Sequence, residues 1–304
     1  MSLGILCPGQ GAQHPAMLDI LKGEPEAERV LTCSSALLEA PVADLLLGPD
    51  DALFANVIAQ PLICAVELAT WAALAPRLPS PRVFAGYSVG ELAAYGCANA
   101  LDARAVVALA RDRARAMDAA CPVPCRMSAV RDLNCRSVEA LTRAHSVEIA
   151  IVNAEDRMVV AGRAPAMASF EAAAQGLGAS VTPLPVTVAS HTSLMRPAAE
   201  AVHRWLEESP LVAPLTPVLA GIDGTPVLSR TRAIETLANQ TTQTILWHAC
   251  LEGLREAGCT VLLELGPGAD LARMARDQLP GIAARSVAEF RSLEGAVAWA
   301  TRHL

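Results

Sequence analysis

The sequence is poor in aromatic residues and contains few charged ones. Phe, Trp and Tyr make up 3% of its 304 residues, and Asp, Glu, Lys and Arg together 18%. Hydrophobic residues reach 53%, which argues against a disordered chain and indicates a core packed from aliphatic side chains. The net charge of −7 leaves no excess of basic residues, so we expect no nucleic-acid partner. The length suits one large α/β domain or two domains.

The sequence lacks a long apolar run without interruptions. The longest, residues 57–74, contains Gln60, Pro61 and Glu67, and it therefore predicts a buried helix and not a membrane span. The apolar run Leu3–Cys7 is too short for a signal peptide and fits a first strand. We therefore expect a cytoplasmic protein with no membrane partner.

The sequence also lacks any Cys-x-x-Cys pair. Its cysteines are odd in number, and most of them lie in apolar stretches. This pattern predicts reduced cysteines in the core of a cytoplasmic protein, with neither disulfides nor a metal site. The cysteines are Cys7, Cys33, Cys64, Cys97, Cys121, Cys125, Cys135, Cys250 and Cys259.

The most informative segment that is present is Gly86-Tyr87-Ser88-Val89-Gly90, which has the G-x-S-x-G form of a nucleophile elbow. Residues 83–85 predict a short strand before it, and residues 89–95 predict the start of a helix after it. Such a turn lifts the serine hydroxyl out of the sheet and directs helix N-terminal N–H groups toward an oxyanion. The glycines leave space that a Cβ would occupy. The segment therefore predicts a serine nucleophile.

The pattern of apolar segments divides the chain into three blocks. Residues 1–121 and 189–304 alternate helices with buried strands, which predicts a large α/β-hydrolase-like domain with a parallel sheet. Residues 122–188 show the order β-α-β-β-α-β, which predicts an inserted ferredoxin-like subdomain. Its predicted elements are residues 126–130, 135–144, 147–152, 158–161, 165–175 and 181–186.

A serine nucleophile needs a base, because a hydroxyl is weakly nucleophilic at neutral pH. Among the six histidines, His191 is the strongest candidate. It lies in a turn after the predicted strand segment 181–188, where the chain returns to the large domain, and loops after strands are where α/β sites assemble. The others lie in helical stretches, in a loop or near the C-terminus, and packing or surface roles are typical there. They are His14, His145, His203, His248 and His303.

Several segments, in the same order along the chain, resemble the malonyl-CoA:acyl carrier protein transacylase family. The opening LCPGQGAQ is similar to its PGQG-x-Q start, and AGYSVGELAAY to its GHS-x-GE-x-A-A-Y elbow, with Tyr87 at the usual histidine. RDRARAMDAA is similar to its R-G-x-x-M helix, with Ala114 at the glycine, and PVTVASHTSLM to its P-V-x-x-x-S-H-x-x-L-M segment. VNAEDRMVVAG and LELGPGADL match two further blocks, so the resemblance spans essentially the whole chain.

The resemblance implies catalytic roles for four of the matching residues. Ser88 would accept the acyl group. His191 would act as its general base and then protonate the departing thiolate. Gln10 would form the oxyanion hole together with the backbone N–H of Val89.

The resemblance also implies how the substrate is recognised and the histidine oriented. Arg113, aligned by Met117, would bind the free carboxylate of the malonyl group, since a guanidinium can bind a carboxylate with two parallel charge-assisted hydrogen bonds. Without that carboxylate, a buried Arg113 would penalise acetyl-CoA. Asn153 matches an active-site asparagine. The residue before Trp247, here Leu246, would orient the histidine through its carbonyl.

The function implied is transfer of malonyl from malonyl-CoA to the phosphopantetheine-type thiol of an acyl carrier protein, through a malonyl-serine and without a cofactor. The Tyr87 variant is most similar to the transacylase (epsilon) subunit of malonate decarboxylase, and a transacylase of fatty-acid or polyketide synthesis is the alternative. An α/β-hydrolase-type esterase shares the elbow but needs an acid and then a histidine much later than His191. A non-catalytic docking subunit would not need an intact Ser88 and His191.

The carrier protein adds a requirement of its own. Carriers of this kind are acidic, as is this chain, so docking needs a local basic patch that the net charge hides. Candidate residues near the expected crevice between the two domains are Arg126, Arg157 and Arg196.

Overall fold

The computed structural model describes residues 2–48 and 52–304, which form two β-sheets surrounded by helices. The strands are β1 (Leu3–Cys7), β2 (Val83–Gly86), β3 (Cys125–Arg131), β4 (Glu148–Ala154), β5 (Arg157–Arg163), β6 (Ser180–Pro183), β7 (Val218–Leu219), β8 (Pro226–Val227), β9 (Ile245–Leu246), β10 (Val261–Glu264) and β11 (Ala283–Ser286). The α-helices are α1 (Pro25–Leu38), α2 (Val42–Leu45), α3 (Asn56–Leu74), α4 (Val89–Cys97), α5 (Ala103–Ala120), α6 (Cys135–His145), α7 (Ala164–Gly176), α8 (Arg196–Glu208), α9 (Arg230–Gln240), α10 (Trp247–Glu256), α11 (Asp270–Gln278) and α12 (Leu293–His303). Short 3-10 helices lie at Pro15–Leu21, Ala52–Phe54, Ala75–Arg77, Ser193–Met195 and Val287–Glu289.

The larger sheet has the strand order β11-β10-β1-β2-β7-β8. Its neighbouring strands are parallel except for β7 and β8, which form an antiparallel pair. Parallel strands end at the same edge of a sheet, where the sites of open α/β folds assemble. Because β1 and β2 are direct neighbours, with Cys7 opposite Gly86, the loop after β1 lies beside the turn that contains Ser88.

The smaller sheet has the order β6-β3-β5-β4-β9. The first four of these strands are antiparallel neighbours and, with α6 and α7, follow the chain order β-α-β-β-α-β. The predicted fold class, a parallel α/β sheet with a ferredoxin-like unit, is therefore confirmed. The fifth strand, β9, comes from the C-terminal block and pairs in parallel with β4. The domain limits at 121/122 and 188/189 stay a prediction.

The strand predicted over residues 181–186 is shorter in the structure. The ladder of β6 ends at Pro183, and the chain then runs irregularly through Pro185 to Val188. Proline has no backbone N–H to donate to a ladder, so two prolines in close succession end the pairing. His191 therefore follows an irregular return segment and not a strand.

Helix α3 forms a large part of the main core. The segment Asn56–Arg77 is long and apolar enough to cross a membrane, but 78% of its most apolar window is buried inside the protein. It packs against α1 and α5. The buried helix predicted over residues 57–74 is therefore confirmed, and the polar Gln60 and Glu67 that interrupt the apolar run are buried with it.

A buried carboxyl group lies at the end of β10, at the edge of the larger sheet where its parallel strands end. Glu264 accepts a hydrogen bond at Oε2 from the Ala272 N–H (2.8 Å), while its Oε1 is buried without a partner among the described residues. Burial raises the pKa of Glu264 to about 7, although the backbone N–H groups of α11 oppose this shift. Between the ordinary pKa of a glutamate and about pH 7, the folded protein therefore keeps this carboxyl group protonated, whereas an exposed glutamate would be ionised.

We predict that Glu264→Gln makes stability less dependent on pH. An unfolded chain releases this proton near pH ~4.3, whereas the folded one keeps it to about pH 7. The contribution is therefore fully present below the unfolded pKa and is lost as pH rises through the folded one, by on the order of 2 kcal/mol between pH ~5 and ~8. Urea unfolding at both pH values measures this loss. The exposed Glu208→Gln should keep the wild-type dependence; the same dependence in Glu264→Gln would show that Glu264 releases its proton at the ordinary pH.

Candidate active site

Ser88 lies in a sharp turn between β2 and α4. Its backbone has φ 56° and ψ −119°, a conformation that a non-glycine residue adopts only when its surroundings impose it. The flanking glycines make the turn possible. A Cβ at Gly86 would lie 2.2 Å from the Glu91 nitrogen, and one at Gly90 would lie 2.1 Å from the Cys7 oxygen. The strand–turn–helix predicted from the sequence is therefore present, and each glycine is required by a backbone contact.

His191 lies against the serine. Its Nε2 is 2.8 Å from Ser88 Oγ, and its Nδ1 is 2.5 Å from the backbone oxygen of Gln240. The backbone N–H of His191 also donates to the Thr241 oxygen (3.0 Å). A carbonyl oxygen can only accept, so Nδ1 bears the proton and the Nε2 lone pair faces the hydroxyl. This is the tautomer that a general base for Ser88 requires.

The prediction that the Leu246 carbonyl orients the histidine is wrong. Leu246 belongs to β9, where it pairs with Val152, and its N–H donates to the Gly221 oxygen. The orienting carbonyl belongs instead to Gln240, the last residue of α9. The final carbonyls of a helix have no intrahelical partner and carry partial negative charge, which suits them to accept from an imidazole N–H.

The environment keeps His191 neutral. Burial, and next the positive charge of Arg113, lower the pKa of His191 to about 3, while the hydrogen bond to Gln240 opposes the shift. The imidazole is therefore unprotonated at neutral pH and available to accept a proton.

One residue expected to form an oxyanion hole, Val89, belongs to the elbow, and the other, Gln10, belongs to a loop packed against it. Val89 is the first residue of α4, where backbone N–H groups have no intrahelical acceptor. Gln10 lies in the loop after β1, and its Oε1 is buried without a hydrogen-bond partner in the described part of the chain. A Cβ at Gly9 would lie 2.9 Å from the Tyr87 oxygen, so this loop packs directly on the elbow. The start of α4 and the loop after β1 thus both lie beside the turn that contains Ser88.

Arg113 is buried on α5 and lines the same cavity as Ser88. Its Nη1 donates to Gln60 Oε1 (2.6 Å) and its Nη2 to Gln240 Oε1 (3.1 Å). Burial lowers the pKa of Arg113 to about 10, which leaves it charged at neutral pH. Met117, one turn further along α5, is fully buried, and its sulfur lies 3.5 Å from Gln60 Nε2. Met117 therefore contacts one of the groups that hold the guanidinium.

Gln240 connects these groups, although nothing in the sequence pointed to it. Its side-chain N–H groups donate to the Ser88 backbone oxygen (2.8 Å) and to Glu91 Oε2 (2.7 Å), while its Oε1 accepts from Arg113. Its backbone oxygen accepts from His191. No local pattern marks a glutamine at the end of a polar helix. The role of Gln60 was not predicted either, although the sequence shows it as a polar residue within an apolar run.

Asn153 does not touch Ser88 or His191 through any hydrogen bond of the described residues. Its Oδ1 accepts from the Tyr87 hydroxyl (3.2 Å), and the Tyr87 ring packs edge-on against Trp247. Asn153 and Tyr87 line a cleft of about 750 Å³ that also contains Gln10. Because Asn153 lies on β4 and Tyr87 follows β2, their contact joins the two sheets across this cleft.

The three arginines considered for carrier docking lie in different places. Arg157 lines the cleft and forms an ion pair with Asp277 (3.0 Å). Arg126 and Arg196 are exposed, on β3 and at the start of α8, and neither lines the cleft. Within residues 2–48 and 52–304, no group of three or more His, Cys, Asp and Glu side chains is arranged to hold a metal ion.

Comparison with known proteins identifies the family. The malonyl CoA-acyl carrier protein transacylase of Mycobacterium tuberculosis (strain ATCC 25618 / H37Rv) is 34% identical over 292 residues, which cover 94% of this chain and 96% of that protein. The solved structure of the corresponding transacylase from Coxiella burnetii has a TM-score of 0.94 at 27% identity and covers 100% of this chain and 98% of that one.

A second solved structure shows a malonyl-transacylase in complex with its type II PKS acyl-carrier protein. It has a TM-score of 0.93 at 27% identity and covers 98% of this chain and 99% of the other. Residues 5–292 match the acyl transferase domain family. The resemblance described from the sequence is confirmed at the level of the family. The chain therefore belongs to the acyl transferase domain family and is an acyltransferase with malonyl CoA-acyl carrier protein transacylases among its relatives.

Proposed function

We propose that this protein transfers a malonyl group from malonyl-CoA to the phosphopantetheine-type thiol of an acyl carrier protein. The observation that carries the proposal is the Ser88–His191 hydrogen bond of 2.8 Å beside a cavity that the buried Arg113 lines. A nucleophile and base next to a buried guanidinium suit an acyl group that carries its own carboxylate. The names of the relatives support the same substrate and acceptor.

In the first half-reaction, Ser88 Oγ attacks the thioester carbonyl while His191 Nε2 takes the hydroxyl proton. The carbonyl oxygen becomes an oxyanion, and we assign its stabilisation to the Val89 N–H and the Gln10 side chain. The C–S bond then breaks, and His191 returns the proton to the departing thiolate. The products are free CoA and a malonyl ester on Ser88.

In the second half-reaction, the carrier thiol gives its proton to His191 and attacks the ester carbonyl. Collapse of the second oxyanion breaks the bond to Ser88 Oγ, which recovers the proton from the histidine. Every step uses side chains and backbone groups of this chain, so no cofactor is required. The cleft beside Tyr87, Gln10 and Arg157 is the route that we assign to the carrier's arm.

Substrate binding also makes His191 a stronger base. The charge of Arg113 is one cause of the low pKa of His191. A malonyl carboxylate bound to Arg113 compensates that charge, so the pKa of the histidine rises when it must accept a proton. An acetyl group brings no such charge. Recognition of the carboxylate and activation of the nucleophile are thereby coupled.

The pathway in which the transfer takes place is a separate question. Tyr87 at the usual histidine position favours the transacylase subunit of malonate decarboxylase. The relatives favour the alternative, because they are named malonyl CoA-acyl carrier protein transacylases, and one is bound to a carrier of a type II PKS. We therefore propose a carrier of fatty-acid or polyketide synthesis in preference to that of malonate decarboxylase.

The covalent intermediate gives a direct test. Incubation with malonyl-CoA alone should add one malonyl group to the intact protein, on the peptide that contains Ser88, because a ping-pong reaction stops there without an acceptor. Mass spectrometry of the intact and digested protein measures this. The Ser88→Ala variant should gain no mass, and transfer by it at the wild-type rate would refute the proposal.

The pH dependence tests the state of His191. Since kcat/KM reports the free enzyme, and the free His191 has a pKa of about 3, we expect no loss of kcat/KM from imidazole protonation between pH ~8 and ~5. Rates of Ser88 acylation over this range measure it. Burial raises the pKa of Glu91 to about 7, so Glu91 titrates in the same pH range as an ordinary histidine. The Glu91→Gln variant removes this titration and is therefore the control. An acid limb near pH ~6.5 that persists in this variant would show that the histidine titrates normally.

Selectivity tests the role of Arg113. Arg113→Ala should lose malonyl transfer and gain relative activity toward acetyl-CoA, because it removes charge-assisted contacts worth on the order of 2–4 kcal/mol in the transition state. The ratio of kcat/KM for malonyl-CoA to that for acetyl-CoA measures the effect. Arg115→Ala, on an exposed face of the same helix, is the matched control and should leave the ratio unchanged. An unchanged ratio in Arg113→Ala would place Arg113 outside the acyl site.

A further inference from the structure

The partners of Arg113 are both uncharged. Its two terminal nitrogens donate to the side-chain oxygens of Gln60 and Gln240, and within the described residues it forms no ion pair. Buried arginines ordinarily pair with carboxylates, because an uncompensated charge in a low-dielectric interior is costly. Here the amide oxygens satisfy the hydrogen bonds of the guanidinium but do not neutralise its charge.

The amide of Gln60 is held in one orientation. Its Nε2 donates to Asn56 Oδ1 (2.5 Å), one turn before it on α3. Asn56 in turn donates from Nδ2 to the Ala114 oxygen and to Asp118 Oδ1, both at 3.1 Å. The nitrogen of Gln60 is therefore occupied on the side of Asn56, and its oxygen must face Arg113.

The amide of Gln240 is fixed in the same manner. Its nitrogen donates to the Ser88 backbone oxygen and to Glu91, so its oxygen also faces Arg113. Glu91 is an acid near the guanidinium, yet the Gln240 amide separates the two. The carboxyl group of Glu91, whose pKa burial raises to about 7, thus contributes to holding the glutamine without a direct hydrogen bond to Arg113.

We infer that Gln60 and Gln240 form a neutral cradle that orients Arg113 while leaving its charge for the substrate, and that Gln60 is therefore a specificity-determining residue. This inference rests on the proposed malonyl transfer. An incoming carboxylate supplies the missing negative charge, whereas an acyl group without one leaves the guanidinium uncompensated. An acid at position 60 would pair with Arg113 permanently and compete with the malonyl carboxylate.

Two substitutions at this position separate charge from hydrogen bonding. Gln60→Glu keeps the size and the acceptor but adds a charge, and Gln60→Met keeps the size but removes the acceptor. The rates of Ser88 acylation by malonyl-CoA and by acetyl-CoA are measured by quenched-flow and intact mass, and their ratio is compared with that of the wild type. Thr70→Val, a buried polar-to-apolar change elsewhere on α3, is the control and should leave the ratio unchanged.

We expect the malonyl-to-acetyl ratio to fall about tenfold in Gln60→Met, because Arg113 loses one orienting contact but keeps its charge. We expect a fall of about a hundredfold or more in Gln60→Glu, with a melting temperature no lower than that of Gln60→Met, because the new carboxylate pairs with Arg113. Reduced malonyl selectivity at undiminished stability is a result that a merely structural role would not produce.

The inference is overturned if the ratio in Gln60→Met stays within about twofold of the wild type, or if the ratio in Gln60→Glu is no lower than in Gln60→Met. Should Gln60→Glu fail to fold, Gln60→Met alone decides whether this glutamine positions the arginine. The wild type separates this inference from the proposed function. If malonyl-CoA leaves no ester on wild-type Ser88, the function itself fails; if the ester forms, the two variants test only the cradle.

Discussion

The site depends on one buried positive charge that the protein does not neutralise. Arg113 is held by amide oxygens from α3 and α9, and the same glutamine of α9 holds Ser88 and His191. Burial and the charge of Arg113 lower the basicity of the histidine, and in the proposed function the same charge binds an anionic acyl group. In the proposed function, recognition and catalysis therefore both depend on the packing of α3, α5 and α9, because each helix supplies one part of a single hydrogen-bonded network.

The parallel sheet supplies the second requirement, a fixed position for Ser88, the proposed nucleophile. Adjacent strands β1 and β2 end at one edge, and the elbow that follows β2 is strained at Ser88. The strain persists because the backbone of Cys7 and the start of α4 pack against Gly86 and Gly90, with no room for a side chain. The backbone of Ser88 therefore cannot relax into a more favourable conformation without breaking the contacts around Gly86 and Gly90.

The smaller sheet completes the site from the other side of the cleft. The Tyr87 hydroxyl donates to Asn153, so the residue next to the nucleophile is bound to β4, and β9 ties the small sheet to the C-terminal block. The Tyr87–Asn153 contact connects the two sheets beside the cleft through which we propose the carrier arm enters. Tyr87 thus connects the two sheets and lines the cleft.

Much of this protein follows from its sequence alone. The G-x-S-x-G turn, the alternation of helices and strands and the β-α-β-β-α-β order are local patterns. They determined the fold class and the turn that contains Ser88, because the backbone requirements of an elbow and a strand are local. Tertiary structure decided the partners. The Leu246 carbonyl was expected to orient His191, and the end of α9 places Gln240 there instead. The amides around Arg113 come from segments far apart in the chain, and which amide oxygen faces a buried guanidinium is set by helix packing, which no local pattern encodes.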